Sequence, residues 1–419
     1  MGIFSSLRSK AATSSFQQSA MSETTANGSC SSFAPGRMDP KMRKELENKL
    51  RGALWGFFAG DALSSPTHWF YGGQRQIVSE YGHSISDYTK PNQHLAGSIL
   101  NKSDPNGGGR MKSFSKISDV SIIGDIINHG KLPYWAPNKS YHYHATLQKG
   151  ESTLEVSIAR VLMKSIVATG GNFDPDHFRE AYVSFMQTPG SHNDTYASTC
   201  HRMFFANLIF RKKTPKECPD NDSHNVDTMD GLVLPTIVAL AGLGSDSSMV
   251  SQSSGSCTAV TRKSKVLEDY AGRWSRVVLG AFGNEACFSD SLTDFAQQTI
   301  RRRPNPMVRE ASTMSACYLG QSLPGLIDML AKHAPLSSSS TNGGEAAWDA
   351  LLANANVGGE NVHRGSILGA ILGARAGYKT LPPKLVDGLY AKEQLEQEIE
   401  AFVGAVLPNV DENPNTSTS

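Results

Sequence analysis

The chain has 419 residues, of which 39% are hydrophobic and 19% are charged, and its formal net charge at pH 7 is +1. This length and composition are typical of a globular protein with a large core. The balanced charge argues against a nucleic-acid partner. The sequence has no run of about 18 uncharged apolar residues, which argues against a transmembrane segment.

Both ends of the chain and three internal stretches are polar and of low complexity. Residues 1–36 are predicted to be a disordered tail or a targeting segment, because the first six residues fit the N-myristoylation pattern while Arg8 and Lys10 resemble a transit peptide. Residues 409–419 are predicted to be a second disordered tail. Surface insertions are predicted at residues 102–110, 244–264 and 335–344. We therefore expect one domain over residues 37–408.

The six cysteines are scattered along the chain and include no Cys-x-x-Cys pair. This spacing predicts reduced thiols, and with them a soluble, intracellular and most simply cytoplasmic protein. A disulfide framework and a cysteine zinc site are not expected.

Apolar residues recur at helical rather than alternating spacing, as at Leu154, Ile158 and Leu162. Strand patterns are few and short. The sequence therefore predicts an all-α fold, a compact multi-helix bundle with loop insertions. The predicted helices cover residues 40–63, 154–166, 174–187, 194–210, 228–243, 270–279, 292–301, 323–333, 346–354, 362–378 and 393–406.

Two of these helices carry glycines at four-residue intervals. They are Gly52, Gly56 and Gly60 in the first helix, and Gly365, Gly369, Gly373 and Gly377 in a later one. Glycine costs roughly 1 kcal/mol against alanine inside a helix, so these glycines require a compensating gain. Residues spaced by four form one flat stripe, which predicts close helix crossings or a surface against which a ligand lies.

The first glycine helix ends in a Gly-Asp-Ala-Leu turn at residues 60–63, and four aromatic rings follow at residues 68–71. His68 and Trp69 are candidates for binding a planar ligand, because aromatic rings stack on such groups. A run of rings is also common in a protein core, and that interpretation stays open.

A Gly-Glu-Ser-Thr segment, which contains Glu151 and Ser152, opens the next predicted helix. Ser152 and Glu155 fit a capping box, which a helix start needs for its own stability. His142 and His144 precede the segment, and a histidine pair alone is weak evidence for a metal site.

Further polar candidates lie in the middle of the chain. Asp194, Ser198 and His201 are spaced to share one helix face, which lines a cleft in one interpretation and is solvated or caps the helix in the other. His224 and Asp227 precede an apolar run and are candidates for the same cleft, with capping as the alternative.

Three parts of the chain resemble the ADP-ribosylglycohydrolases, the group that includes dinitrogenase reductase activating glycohydrolase and the ADP-ribosylarginine hydrolases. Residues 51–70, RGALWGFFAGDALSSPTHWF, are similar to the opening helix and its Gly-Asp-Ala-Leu-Gly turn. Residues 353–378, ANANVGGENVHRGSILGAILGARAGY, are similar to the closing Gly-Gly-Asp-Thr-Asp-Thr motif and its glycine-rich helix. Residues 317–324 and 381–382 resemble the segments on either side of that motif.

The resemblance implies a compact all-α fold with a cleft that binds ADP-ribose and holds magnesium through carboxylates. In such enzymes the metals orient the ribose and a water molecule, which attacks the anomeric carbon. Glu151 and Glu360 are then the catalytic carboxylates, expected to meet at the floor of one pocket. The candidate substrate-binding residues are Asp61, His68, Trp69, Gly358, Gly359 and Asn361. The candidate metal ligands are Glu151, Glu360, Asp194 and Asp227.

The sequence departs from the family pattern at both metal motifs. Glu360 stands where the family has its first Asp, while Val362 occupies the second Asp position and His363 the following Thr position. Glu151 and Ser152 stand in place of the Asp pair of the Thr-Asp-Asp-Thr motif. Magnesium prefers hard oxygen ligands in near-octahedral geometry, so these residues cannot hold the usual two magnesium ions unchanged. Binding of one magnesium ion, or of none, is also open.

Three functions are compatible with these observations. The favoured one is a hydrolase that cleaves the glycosidic bond of an ADP-ribosylated protein or of a small ADP-ribosyl or related ribosyl conjugate. The second is a relative that binds ADP-ribose or a nucleotide without cleaving it, and the third is a structural protein on the same fold. The acceptor group and the oligomeric state are left open.

Overall fold

The computed structural model describes residues 39–108, 119–219, 226–335 and 343–407. Within these ranges the chain forms fourteen α-helices, and its only β-structure is isolated bridges. No helix in these ranges is long and apolar enough to span a membrane. The helices are α1 Pro40–Ser64, α2 Gly73–Tyr81, α3 Leu154–Ala168, α4 Pro175–Gln187, α5 Thr199–Ile209, α6 Val233–Ala241, α7 Ser247–Thr258, α8 Lys265–Gly280, α9 Glu285–Ile300, α10 Leu319–His333, α11 Gly343–Ala355, α12 Val362–Ala376, α13 Pro383–Asp387 and α14 Lys392–Val406.

The predicted all-α fold is confirmed. Helices α8 and α9 begin five and seven residues before their predicted starts at residues 270 and 292, and α2 and α13 were not predicted. Helix α5 begins five residues later than predicted. Ser198 has extended backbone angles, and Asp194 binds groups outside its own segment, so the helix forms only after them. The predicted terminal tails lie outside the described residues, as do His224 and parts of the insertions at 102–110 and 335–344.

The prediction of a surface insertion at residues 244–264 is wrong, because this segment contains α7. The side chain of Asp246 caps the helix by accepting hydrogen bonds from the backbone N–H groups of Ser248 and Met249. Small residues then let α7 pack closely on α8: a Cβ at Gly255 would lie 3.0 Å from the carbonyl oxygen of Glu268. A helix that packs through serine and glycine lacks the apolar stripe by which helices are predicted.

The two glycine stripes face each other in the middle of the fold, so the predicted close helix crossing is confirmed. A Cβ added at Gly52 would lie 2.3 Å from the carbonyl oxygen of Gly373. At Gly56 it would lie 2.1 Å from the carbonyl oxygen of Gly369, and at Gly60 it would lie 1.9 Å from that of Gly365. The order of these pairs shows that α1 and α12 are antiparallel. No side chain fits into such short distances, so this approach requires glycine on both helices.

The antiparallel crossing places the end of α1 beside the start of α12. Asn354, at the end of α11, links the two: its Nδ2 donates to Oγ of Ser64 over 2.9 Å and to the backbone oxygen of Asn361 over 2.8 Å. Its Oδ1 accepts a hydrogen bond from Nε of the buried Arg364 over 2.7 Å. Residues from opposite ends of the chain are thereby held at one place.

The cysteines follow the prediction only in part. Cys200, Cys218, Cys257 and Cys317 are free, as predicted. Cys287 is disulfide-bonded, so the prediction of reduced thiols is wrong at this residue. Spacing along the sequence does not show which distant cysteines the fold brings within bonding distance.

We expect Gly56→Ala to lower the free energy of unfolding by about 3 kcal/mol, because the added methyl group forces α1 and α12 apart. Urea denaturation followed by circular dichroism measures the change. Gly404→Ala in α14 is the matched control: nothing lies within 4 Å of its added Cβ, so stability should stay the same or rise by up to about 1 kcal/mol. Equal stabilities of the two variants would show that the crossing does not depend on glycine.

Candidate active site

Two loops meet where the end of α1 lies beside the start of α12. The backbone N–H of Trp69 donates to the carbonyl oxygen of Gly359 over 2.8 Å, and the N–H of Gly359 donates to that of Phe70 over 3.2 Å. Gly358 has φ +73°, and a Cβ there would lie 2.2 Å from the carbonyl oxygen of Phe70, so this pairing requires glycine. The aromatic segment after α1 is thereby held next to the closing Gly-Gly-Glu motif.

Glu360 is fully buried, and the nitrogen atoms of three rings surround its carboxylate. Its Oε2 accepts a hydrogen bond from Nε1 of Trp69 over 3.0 Å and lies 3.6 Å from Nε2 of His68. Its Oε1 is hydrogen-bonded to Nδ1 of His363. Burial opposes the ionisation of Glu360, but the charge and hydrogen bond of His363 hold its pKa well below the usual range. Burial likewise lowers the pKa of His363, but Glu360 raises it to about 10.

A chain of buried side chains leads from Glu360 to the start of α3. Nδ1 of His68 lies 2.7 Å from Nε2 of His144, and Nδ1 of His144 lies 2.9 Å from Oδ1 of Asp194. Burial lowers the pKa of His68 to about 4, so this ring is neutral at neutral pH. Burial opposes the ionisation of Asp194, but His144 and the backbone N–H of Leu154 hold its pKa below the usual value.

Asp61 and Asp194 both bind the backbone at the start of α3. Oδ2 of Asp194 accepts from the N–H of Leu154 over 2.8 Å. Asp61 accepts from the N–H of Thr153 over 2.8 Å and from its hydroxyl over 2.7 Å. These carboxylates satisfy N–H groups that have no partner within the helix, and the helix dipole favours their charge. Burial nevertheless raises the pKa of Asp61 to about 6, against the effect of Thr153.

A second buried cluster lies at the second residue of α3. Oε1 of Glu155 is hydrogen-bonded to Nε2 of His201 over 2.7 Å and accepts from the hydroxyl of Ser198 over 3.1 Å. Nδ1 of His201 lies 2.7 Å from the hydroxyl oxygen of Tyr182. The prediction that Asp194, Ser198 and His201 share one helix face is wrong, because α5 begins only at Thr199. Ser198 and His201 both bind Glu155, whereas Asp194 binds His144.

Asp230 and Arg262 form a buried ion pair near this cluster. Nη2 of Arg262 donates to Oδ2 of Asp230 over 3.0 Å, and its Nη1 donates to Oγ1 of Thr228 over 3.1 Å. Burial opposes the ionisation of Asp230, but Arg262 lowers its pKa to about 2. The charges of Asp230 and Glu155 both contribute to the raised pKa of His363, so these acids lie near the Glu360 site.

Trp69 belongs to a group of packed aromatic rings. Its ring centroid lies 4.1 Å from that of His68, 4.5 Å from that of Tyr143 and 5.0 Å from that of Tyr196. The last two contacts are edge-to-face, an arrangement that aromatic pairs prefer. Because Trp69 is only half-buried, part of its surface remains for a ligand, and its role in substrate binding stays a prediction.

The structure brings most of the predicted site residues to one place. They are Asp61, His68, Trp69, Asp194, Gly358, Gly359, Glu360 and Asn361. Asn361 holds the closing loop by donating from Nδ2 to Oγ1 of Thr67 over 2.7 Å. The substrate-binding and metal-binding roles of these residues stay predictions.

The meeting of Glu151 with Glu360 stays a prediction, and the hydrogen bonds of Glu151 are made within the turn before α3 and with Asn193. The carboxylate of the half-buried Glu151 accepts hydrogen bonds from the backbone N–H of Gln148 over 2.7 Å and from Nδ2 of Asn193 over 3.1 Å. Two groups of His, Cys, Asp and Glu among the described residues have donor atoms within 4.8 Å of one another, and Glu151 belongs to neither. Glu151 lies in the turn before α3, whose N-cap is Thr153.

Asp227 also lies outside both groups, because its carboxylate accepts a hydrogen bond from the hydroxyl of Ser264, the N-cap of α8. The acid that lies near the site is Asp230, three residues later. In the same way, Glu155 rather than Glu151 enters the buried cluster at the start of α3. The sequence shows that Asp230 and Glu155 lie at the beginning of predicted helices, but capping accounts equally well for acids at helix starts.

These donors do not fit a pair of magnesium ions. Magnesium takes about six oxygen ligands in octahedral geometry. The two groups of neighbouring donors hold one carboxylate each: they are His68, Glu360 and His363, and Glu155, Cys200 and His201. The oxygens of Asp61 and Asp194 already accept hydrogen bonds from the start of α3 and from His144. No step of a reaction is therefore assigned to magnesium.

The fold and the site define an α-helical protein whose first and twelfth helices meet at a buried carboxylate–histidine centre. The family model described as ADP-ribosylglycohydrolase matches residues 42–412, and this chain belongs to that family. A solved structure titled "ADP-ribosylglycohydrolase-related protein complex" is 14% identical, covering 87% of this chain and 99% of its own, with a TM-score of 0.48. No curated protein matches this sequence.

The raised pKa of Asp61 predicts a pH dependence of stability. The folded protein keeps this proton up to about pH 6, whereas the unfolded chain releases it near 3.8. The contribution of Asp61 to the free energy of unfolding therefore falls as the pH rises through this window. Relative to wild type, Asp61→Asn should gain up to about 3 kcal/mol between about pH 4 and pH 7, measured by denaturation at each pH. A difference that is the same at every pH would contradict the prediction.

Proposed function

We propose that this protein hydrolyses the glycosidic bond of an ADP-ribosyl or related ribosyl conjugate, and that Glu360 is the carboxylate at the reacting centre. Membership of a glycohydrolase family supports the reaction class. One observation carries the residue assignment: Glu360, the acid of the closing motif, is fully buried and stays ionised beside His68 and His363. A buried charge of this kind is costly to stability, and its retention indicates a function.

The chemistry of ribosyl cleavage fits such a group. The bond breaks through a transition state with positive charge on the sugar ring. An ionised carboxylate in a site closed to bulk solvent stabilises this charge, and it takes the proton of the attacking water as that water bonds to the sugar and becomes acidic. Trp69 donates to Oε2 of Glu360 and fixes the direction of the carboxylate. Because the ends of two packed helices hold this group, little reorganisation is needed during the reaction.

The aromatic residues next to Glu360 favour a substrate that carries a planar base. Trp69 is half-buried, and Tyr71 is 52% exposed. After burial, the charge of Glu360 is the next largest cause of the raised pKa of Tyr71, so this ring lies within the field of the site. Rings with an open face stack on a base such as adenine.

The altered motifs support a second candidate, a relative that binds ADP-ribose without cleaving it. Val362 replaces the second acid of the closing motif. Glu151 is engaged by hydrogen bonds in its own turn. Glu360 would then be the one carboxylate at the centre. It would accept hydrogen bonds from ribose hydroxyls and bind the ligand without cleaving it.

We expect Glu360→Gln to reduce the release of ADP-ribose from an ADP-ribosylated protein by at least about 100-fold, because the amide has no charge and accepts no proton. Chromatography of free ADP-ribose measures the rate. Glu345→Gln is the matched control, since it removes the same residue type from an exposed ion pair with Lys384 and should leave the rate unchanged. Thermal melting shows whether both variants fold.

Two further measurements separate the candidates. A loss of turnover in Glu151→Gln as large as that in Glu360→Gln would include Glu151 in the reaction, against its position in the structure. Binding without turnover, seen as a rise in melting temperature with added ADP-ribose, would favour the second candidate. A wild-type protein that shows neither response would contradict both.

A further inference from the structure

A buried ring nitrogen next to Glu360 lacks a hydrogen bond of normal length within the fold. Nε2 of His68 is buried and makes no hydrogen bond. It lies 3.6 Å from Oε2 of Glu360, beyond the reach of about 3.2 Å expected for an N–H···O hydrogen bond. A buried polar atom without a partner costs about 1–3 kcal/mol, so it indicates that a group belongs at this position.

The neighbouring residues determine what His68 presents there. In the tautomer of His144 that donates its Nδ1–H to Asp194, Nε2 is left as an acceptor. That atom accepts the Nδ1–H of His68 over 2.7 Å. Nε2 of His68 then holds a free lone pair that faces a carboxylate. With the protons shifted by one position, the same atom would carry an N–H that faces Oε2 of Glu360 at 3.6 Å, so it makes no hydrogen bond of normal length in either arrangement.

We propose that His68, Glu360 and His363 bind a zinc ion. Each residue offers one donor atom, and the three atoms lie within 4.8 Å of one another. Two imidazole nitrogens and one carboxylate oxygen form a donor set of catalytic zinc sites, which keep a fourth position open. The 3.6 Å between His68 and Glu360 is near the separation of about 3.3 Å between two ligands that each lie about 2.0 Å from a tetrahedral ion.

The surrounding contacts support these ligands. A histidine that binds metal usually donates its other ring N–H to an acceptor, which fixes the ring and makes it more basic. His68 does so through His144, whose own Nδ1 is held by Asp194. Nε1 of Trp69 holds Oε2 of Glu360 over 3.0 Å. His68 and Glu360 are therefore positioned before an ion binds, whereas the ion would replace the direct hydrogen bond between His363 and Glu360.

The second group of donors, Glu155, Cys200 and His201, is less suited to a cation. Both ring nitrogens of His201 are engaged, one by Glu155 and the other by Tyr182. The charge of Arg262 interacts with both Cys200 and Glu155, and a positive charge at this distance opposes a bound cation. This group therefore serves as the internal comparison in the test.

The test is a zinc titration of the full-length protein, freed of metal by a chelator, against a chromophoric zinc indicator. We expect one equivalent of zinc to bind saturably, and magnesium in large excess not to displace it. His68→Gln and His363→Gln should each weaken zinc binding by more than about 100-fold. His83→Gln is the matched control, because it removes an exposed histidine after α2 and should leave the affinity unchanged.

Asp194→Asn keeps all three ligands and removes only the acceptor that orients His144. It should weaken zinc binding by about 10- to 100-fold, the usual effect of losing a group that supports a ligand. Circular dichroism of each variant separates a lost ligand from a lost fold. Affinity that is unchanged in all of the His68, His363 and Asp194 variants would overturn the proposal.

Cobalt substitution gives a second readout. A site of two histidines and one glutamate shows no thiolate-to-cobalt charge-transfer absorption, whereas a site that includes Cys200 shows it. Cys200→Ser should accordingly leave zinc affinity unchanged. Loss of zinc binding in Cys200→Ser, displacement of zinc by magnesium, or no zinc binding at all would each overturn the proposal.

This inference deepens the proposed function, because the ion would lie at Glu360, but none of its readouts depends on turnover. Zinc binding by a protein that releases no ADP-ribose would contradict the proposed function alone. Release of ADP-ribose by a protein that binds no zinc would contradict the zinc site alone. The two proposals can therefore fail separately.

Discussion

Direct backbone contact between α1 and α12 is the constraint on which the rest of the structure depends. Carbonyl oxygens of one helix occupy the space in which side chains of the other would stand. Buried residues on the flanks of the stripes, such as Phe57 and Leu368, add the apolar burial that offsets the helical cost of glycine. A slip of one helical turn, about 5.4 Å, would separate Glu360 from His68. The site therefore forms only when α1 and α12 pack in this register.

Most of the fold could be predicted because helical periodicity and glycine spacing are local properties of the sequence. The four-residue spacing of the glycines in α1 and α12 is enough to predict a close crossing, and the crossing joins the two segments that resemble the family motifs. Helix α7 could not be found in this way, because its contact with α8 depends on small residues such as Gly255 and not on an apolar pattern. The disulfide bond at Cys287 leaves no local signal in the sequence.

The residues of the site also differ in whether a local pattern predicts them. Asp61, His68 and Glu360 could be predicted because each lies within or directly after a motif with a recognisable pattern. His144, Glu155 and Asp230 become part of the centre only through tertiary packing, and helix capping accounted equally well for the acids. The resemblance to the family identified the correct region at the start of α3 but favoured Glu151, which faces its own turn. At the centre the charge of Glu360 is paired with the rings of His68 and His363.

The position of α1 and α12 in the chain has a consequence for synthesis of the protein. Helix α1 ends at Ser64, whereas its partner begins at Val362. A ribosome that adds about 5–20 residues per second needs on the order of 15 to 60 s to make the intervening segment. During this interval the apolar side chains of α1, including Leu54, Phe57 and Phe58, lack the surface that covers them in the finished protein. The nascent chain is therefore exposed to aggregation until its C-terminal part emerges, and we expect it to depend on chaperones that hold N-terminal segments.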